Sequence, residues 1–339
     1  MSSTRRALAL LVCPLLWLPV STARADTPLD GPVTGRVVLK KASGPYSVKA
    51  PLFVAASGTL ELEAGTVLRF ATGVGLRVEG RLLVHGAPGQ PVSFVGAGSP
   101  EATWRGITLL KGPAPSRIAF ATVVGGGTKD AGAVTVGGGT PSLEHVSISG
   151  APGYAVHVAA ASAPLLSHLS LAGNVGGVLA AEGAAPVSVR LTWWGAPEGP
   201  SFGGVGSGVS ATGAVLYEPW LGAPPGEGSF LTSVEVSAAP VVPGRGSPFV
   251  ATLDAVLAGC EAEARPAPSS VLKVHDSTGT VVAAVESGVP ARFAWDGTDA
   301  SGLPVPPGAY LYELLALSAE GECGSTAPAV GRVTVAAAP

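Results

Sequence analysis

His145, His168 and Arg190 each lie four residues beyond a proline (Pro141, Pro164 and Pro186). They sit in three near-superimposable segments, PSLEHVSISG, PLLSHLSLAG and PVSVRLTWWG, spaced 23 and then 22 residues apart. If successive copies stack, these nitrogen-bearing side chains form a line. Such a line could grip a sugar or a carboxylate, or it could simply face outward at a bend. Trp193, Trp194 and Trp220 could offer flat faces to a sugar ring, or could plug the open end of a coil whose last turn has no neighbour. Acid/base chemistry is thinly provided. Residues 31–222 contain one Asp, Asp130, and the glutamates Glu61, Glu63, Glu79, Glu101, Glu144, Glu182, Glu198 and Glu218. None falls into the clustered pattern with which polysaccharide-cleaving enzymes hold Ca²⁺ beside a base or set up a carboxylate pair, so no catalytic residue is expected. Asp296-Gly-Thr-Asp299 begins like a Ca²⁺ loop, but Ala300, Ser301 and Gly302 follow and no Glu closes it. Asx-turn chemistry accounts for both Asp residues. Neither a metal site nor a cofactor is expected.

The elements that must position these side chains are short. Looser copies of the repeat begin at Pro91 and Pro115, and a unit of this length cannot close a core alone, so it must stack on its neighbours. Runs such as Leu60, Leu62, then Val67, Leu68, Phe70, then Leu76, Val78, then Leu82, Val84 alternate with polar or small residues. Gly58, Gly65, Gly73, Gly80 and Gly86 punctuate them, as expected of very short strands with tight corners. In the three best copies Val146, Leu169 and Leu191 are expected to share one column, Ile148, Leu171 and Trp193 another, with Ser147, Ser170 and Thr192 between. Seven or eight rungs at about 4.8 Å each would make a rod roughly 35 to 40 Å long.

Residues 1–25 read as a secretory signal: Arg5 and Arg6, an apolar stretch over residues 7–20, and a small-x-small site at Ala23-Arg24-Ala25. That stretch, broken by Pro14 and Pro19, is too short to span a bilayer. Its removal takes Arg5, Arg6 and Arg24 from a chain already at −3, with only six lysines in all. Nucleic acid and anionic membrane surfaces are therefore not expected partners. Cys13 leaves with the signal. Cys260 and Cys323 remain and, in an oxidising compartment, read as one disulfide in preference to two buried thiols.

Residues 46–222 resemble the right-handed parallel β-helix repeat proteins of secreted bacterial type. The resemblance rests on the recurring P-x-L-x-x-x-x-I pattern, on Asn174-Val-Gly176, and on the Trp193-Trp194-Gly195-Ala-Pro-Glu-Gly-Pro200 element, in which Thr192 stands where Asn is usual. Beyond a Pro/Gly-rich joint the strand-like runs lengthen, over residues 249–257, 271–275, 281–285, 310–317 and 330–335, with turn signals at sandwich spacing. Residues 276–279 signal a hairpin. The stretch from Phe293 to Tyr312, with its W-D-G-x-D-x-x-G-x-x-V-x-x-G-x-Y core, resembles the Ig-like domain of flagellar hook-capping proteins. The resemblance implies a β-sandwich.

The expected organisation is all-β: a signal peptide over 1–25, a right-handed parallel β-helix (a solenoid) over 26–222, a linker over 223–228 and an Ig-like β-sandwich over 229–339. The expected function is that of an exported, non-catalytic structural or binding protein in the periplasm, at the outer-membrane surface or outside the cell. It would present the β-helix for adhesion or polysaccharide contact, with His145, His168, Arg190, Trp193 and Trp194 as candidate ligand-binding residues. A polysaccharide or an envelope protein is the expected partner. A carbohydrate-active enzyme with an unfamiliar site and a passive envelope-assembly part are the alternatives.

Overall fold

The computed structural model describes residues 25–98, 103–202, 206–226, 229–257, 269–317 and 325–337. The N-terminal part winds as a parallel β-solenoid of about seven turns. Its strands form a 12-stranded and an 8-stranded parallel sheet. Each turn lays one short strand on each of three faces, and alternation of side chains sends every second residue inward. On the first face Leu39, Leu62, Val84, Ile118, Leu143, Leu166 and Val189 follow one another in register from turn to turn. All are at most 4% exposed. Tyr46, Leu68, Phe94, Val123 and Ile148 do the same on the second face, and Leu52, Leu76, Ile107, Val134, Val156, Val178 and Ala211 on the third. Full burial of each such side chain contributes about 1.5–3 kcal/mol, and it is the next turn that supplies the cover.

Corners are closed by specific chemistry. A Cβ at Gly80 would run into the carbonyl oxygens of Ala55 and Gly58, and one at Gly112 into that of Gly80, so this corner is a ladder in which backbones touch. At another corner Asn174 accepts from the Ala151 N–H at 2.9 Å and donates to the carbonyls of Ile148 at 2.7 Å and Leu171 at 2.8 Å. One side chain thereby ties two turns together.

The register of the third repeat copy differs from the expected one. Ser167 pairs with Arg190, and bridges join Ser147 to Ser170 and Ser170 to Trp193. Thr192 therefore falls in the inward column of Val146 and Leu169, and Trp194 in that of Ile148 and Leu171. Both are fully buried. Leu191 and Trp193 point the other way and belong to the second core. Pro141 and Pro164 stand two residues before the inward Leu143 and Leu166, whereas Pro186 stands three before Val189, so aligning on prolines slips the strand by one, and a slip of one exchanges the two faces.

The C-terminal part comprises a five-stranded and a three-stranded antiparallel sheet. They pack around Phe249, Leu272, Phe293, Trp295, Tyr312 and Leu314. Phe249–Val256, Ser269–His275, Val281–Gly288, Gly308–Leu317 and Ala329–Val335 answer to the five runs read from the sequence. Phe230–Val236 and Ala291–Trp295 belong to the sheets as well, and the short strand Trp220–Leu221, at the end of the solenoid, supplies the fifth strand of the larger one. Asp276 accepts from the N–H groups of Thr278 and Thr280 in the hairpin turn. Asp296 accepts from Thr298, and Asp299 from Ser301 and Leu303, so both Asp carboxylates are occupied by their own turns. Cys260, Cys323 and residues 1–24 lie outside the described residues. No helix among the described residues is long and apolar enough to cross a membrane.

Replacing Asn174 by Ala removes three hydrogen bonds and leaves the Ala151 N–H without its partner, so thermal or denaturant unfolding should show a loss of roughly 2–3 kcal/mol. Asn174→Asp, which can accept but not donate to the two carbonyls, should restore little of it.

Candidate functional site

The first and second faces meet at a corner made, in four successive turns, by one left-handed residue: Phe120, His145, His168 and Leu191, with φ of 50°, 53°, 54° and 50°. Side chains other than Gly rarely adopt this conformation, which costs of order 1–3 kcal/mol per residue. Here each corner residue gains from the one below it. The Phe120 and His145 rings stack at 4.4 Å and 4°, and His145 and His168 at 4.6 Å and 26°. Phe230, at the start of the first C-terminal strand, covers this pile with its ring 4.3 Å from that of His145 in an edge-on arrangement. His168 Nε2 lies 2.5 Å from the carbonyl oxygen of Leu231. A carbonyl only accepts, so Nε2 carries the proton and Nδ1 is left as a buried acceptor with no partner among the described residues.

The corner is therefore the place where the two parts of the chain meet. Arg190 is not in the histidine line. It occupies the column of Glu144 and Ser167 on the first face, and Leu191 takes the corner instead. Trp193, with Leu191 and Leu221, is buried among the side chains of the C-terminal sheets. Trp194 and Trp220 are buried in the solenoid, and Trp220 Nε1 donates to the Pro197 carbonyl at 2.8 Å. The backbone then crosses over. Trp220–Leu221 pairs antiparallel with Val330 and Ala329, and Arg332 is ion-paired to Glu218 with its guanidinium 5.2 Å over the Trp220 ring. Neither Phe120 nor Phe230 was singled out by sequence, although the in-register spacing of Phe120 from His145 carried a signal for the first.

Between the corner, the loop at Ala87–Gly89 and the joint at Pro224–Gly226 lies a cleft of about 440 Å³. Phe120, His145, His168 and Phe230 form one wall; Thr122, Ser147 and Ser170, consecutive in register, line its floor.

Glu144, His145 and His168 bring donor atoms within 4.8 Å of one another. Zn²⁺ would need nitrogen lone pairs that meet about 2.0–2.1 Å from each ring. Two imidazoles lying almost flat on one another aim theirs side by side, and His168 Nε2 is engaged by Leu231. The carboxylate of Glu144 lies on the outer face, paired with Arg117 at 3.3 Å. The trio does not fit a metal centre.

Burial, and then the neighbouring His168, hold His145 down at about 4, against the opposing pull of Glu144. Burial also lowers His168, opposed by its bond to Leu231 and by Glu144. Both imidazoles bind protons less readily here than the ordinary value of about 6.5. The unfolded or undocked chain therefore takes up more protons as pH falls below that value. Stability from this corner is complete above about pH 6.5 and is lost as pH drops toward 4. Thermal unfolding should move to lower temperature between pH 7.5 and pH 5. His145→Phe, which copies the Phe120 corner beside it, should retain the pile and flatten that dependence.

The FlgD Ig-like domain family matches residues 256–320, a range that includes the strands Ser269–His275, Val281–Gly288, Ala291–Trp295 and Gly308–Leu317. Among solved structures, that of PorZ, an essential bacterial surface component of the type-IX secretion system of Porphyromonas gingivalis, aligns with 21% identity and a TM-score of 0.20. The alignment covers 31% of this chain and only 12% of that one. No curated protein matches the chain. The chain is thus a parallel β-solenoid followed by antiparallel sheets that match an Ig-like domain.

Proposed function

We propose that this is an exported, non-catalytic structural or binding protein of the cell envelope or its outer surface. Its solenoid presents an extended face for adhesion or for contact with polysaccharide. The observation that carries the reading is what the polar and aromatic side chains at the meeting of the two parts are used for. The histidines stack and hold Phe230 and Leu231, while Arg332 and Glu218 pin the last turn. Groups that could have done chemistry are occupied in making one continuous body. Among the described residues, what this leaves is surface and a hydroxyl-floored cleft. Export rests on the N-terminal Arg5-Arg6, the apolar run and the Ala23-Arg24-Ala25 site.

Cell fractionation with an antibody to the mature chain should find it beyond the inner membrane; a cytoplasmic signal would refute the placement. Incubated with a panel of envelope and extracellular glycans, the protein should be retained without releasing reducing or unsaturated ends. Release of such ends would make it an enzyme, and failure of every glycan to retain it would leave an assembly part with a protein partner.

A further inference from the structure

The cleft at the joint has a composition that narrows what it could hold. None of its lining residues among the described ones carries a full charge at neutral pH: they are Ala, Pro, Gly, Val, Phe, Ser, Thr and the two imidazoles, which burial keeps neutral. Its floor is a column of hydroxyls. Thr122 donates to Ser93 Oγ at 3.0 Å, whereas the hydroxyls of Ser147 and Ser170 make no hydrogen bond among the described residues. Both residues are only half-buried, so their hydroxyls remain free to exchange water for a ligand. In-register parallel strands place them about 4.8 Å apart, on the order of one sugar residue in an extended chain. The wall beside them is aromatic, the pairing of flat apolar surface with a few fixed polar groups that small-ligand sites use. A carboxylate or sulfate entering here would lose water and meet no cation among the described lining residues, which is strongly unfavourable. The nearest basic side chain on these strands, Arg117, faces outward and is committed to Glu144.

We propose that this cleft binds a short segment of an uncharged oligosaccharide, its hydroxyls on Ser147 and Ser170 and its less polar edge against the Phe120, His145 and Phe230 wall. A peptide strand is disfavoured, since the floor offers hydroxyls and no exposed backbone edge: each of these strands is already paired on both sides in the solenoid. The inference rests on the general reading of glycan contact and specifies its class and place.

The test uses the full mature chain, titrated with neutral trisaccharides of glucose, galactose and mannose, and in parallel with oligogalacturonate and oligo-alginate. A neutral sugar should bind, and Ser147→Ala with Ser170→Ala should weaken it roughly tenfold or more, while Arg117→Ala on the outer face should not. Circular dichroism establishes that each variant is folded. Binding of a neutral sugar that the serine variants leave unchanged would overturn the cleft and spare the general reading. Binding of the acidic sugars alone would overturn the assigned class in the same way. Failure of every sugar, together with failure of the wider glycan panel, would overturn both.

Discussion

Everything in the solenoid depends on inward side chains one turn apart covering one another. A three-residue strand such as Leu76–Val78 or Ile107–Leu109 buries nothing alone. Its Leu or Ile becomes fully covered only because the preceding and following turns place a like side chain above and below it. The arrangement is unforgiving, since truncating one member of a column opens a void that two turns share, typically at a cost of about 2–5 kcal/mol. It is also permissive outward. Loops between strands differ in length from turn to turn without disturbing register, as the insertion at Ala87–Gly89 does.

Stacking fails at the last turn, which has nothing beyond it. The chain meets this with its largest apolar side chains, Trp194 and Trp220, set inside, and with Leu191 and Trp193 turned outward into the core of the antiparallel sheets. The histidine corner follows the same logic. A position wedged beneath Phe230 excludes a permanently charged group, because its desolvation would go uncompensated. An imidazole that can shed its proton is acceptable there, and so is a leucine. Arg190 is one residue removed, on the wet face.

Much of this is written locally. Alternation in residues 59–63 and 81–85, the repeat from Pro91 onward and the Phe293–Tyr312 motif suffice to specify a coiled parallel sheet followed by a sandwich, because the burial pattern of such strands is set within the strand. What local pattern does not specify is phase. The prolines at 141, 164 and 186 look like equivalent anchors but sit in loops, where one residue more or less costs little. The inward columns are the true anchors, and counted from Leu143, Leu166 and Val189 the copies are 23 residues apart in both steps. Aligned so, the corner reads Phe120, His145, His168, Leu191. The cover supplied by Phe230 was beyond any such reading, for it joins residues 85 positions apart through a meeting of two cores that no periodicity encodes.

Trp220 and Leu221 serve both cores at once, the indole keyed into the last turn while the backbone forms the edge strand of the five-stranded sheet, paired with Ala329–Val335. A pull on the C-terminal part would thus reach the coil along a ladder loaded in shear, reinforced by the Arg332 pin. The joint would transmit tension and torque as a strut does, instead of yielding like a hinge.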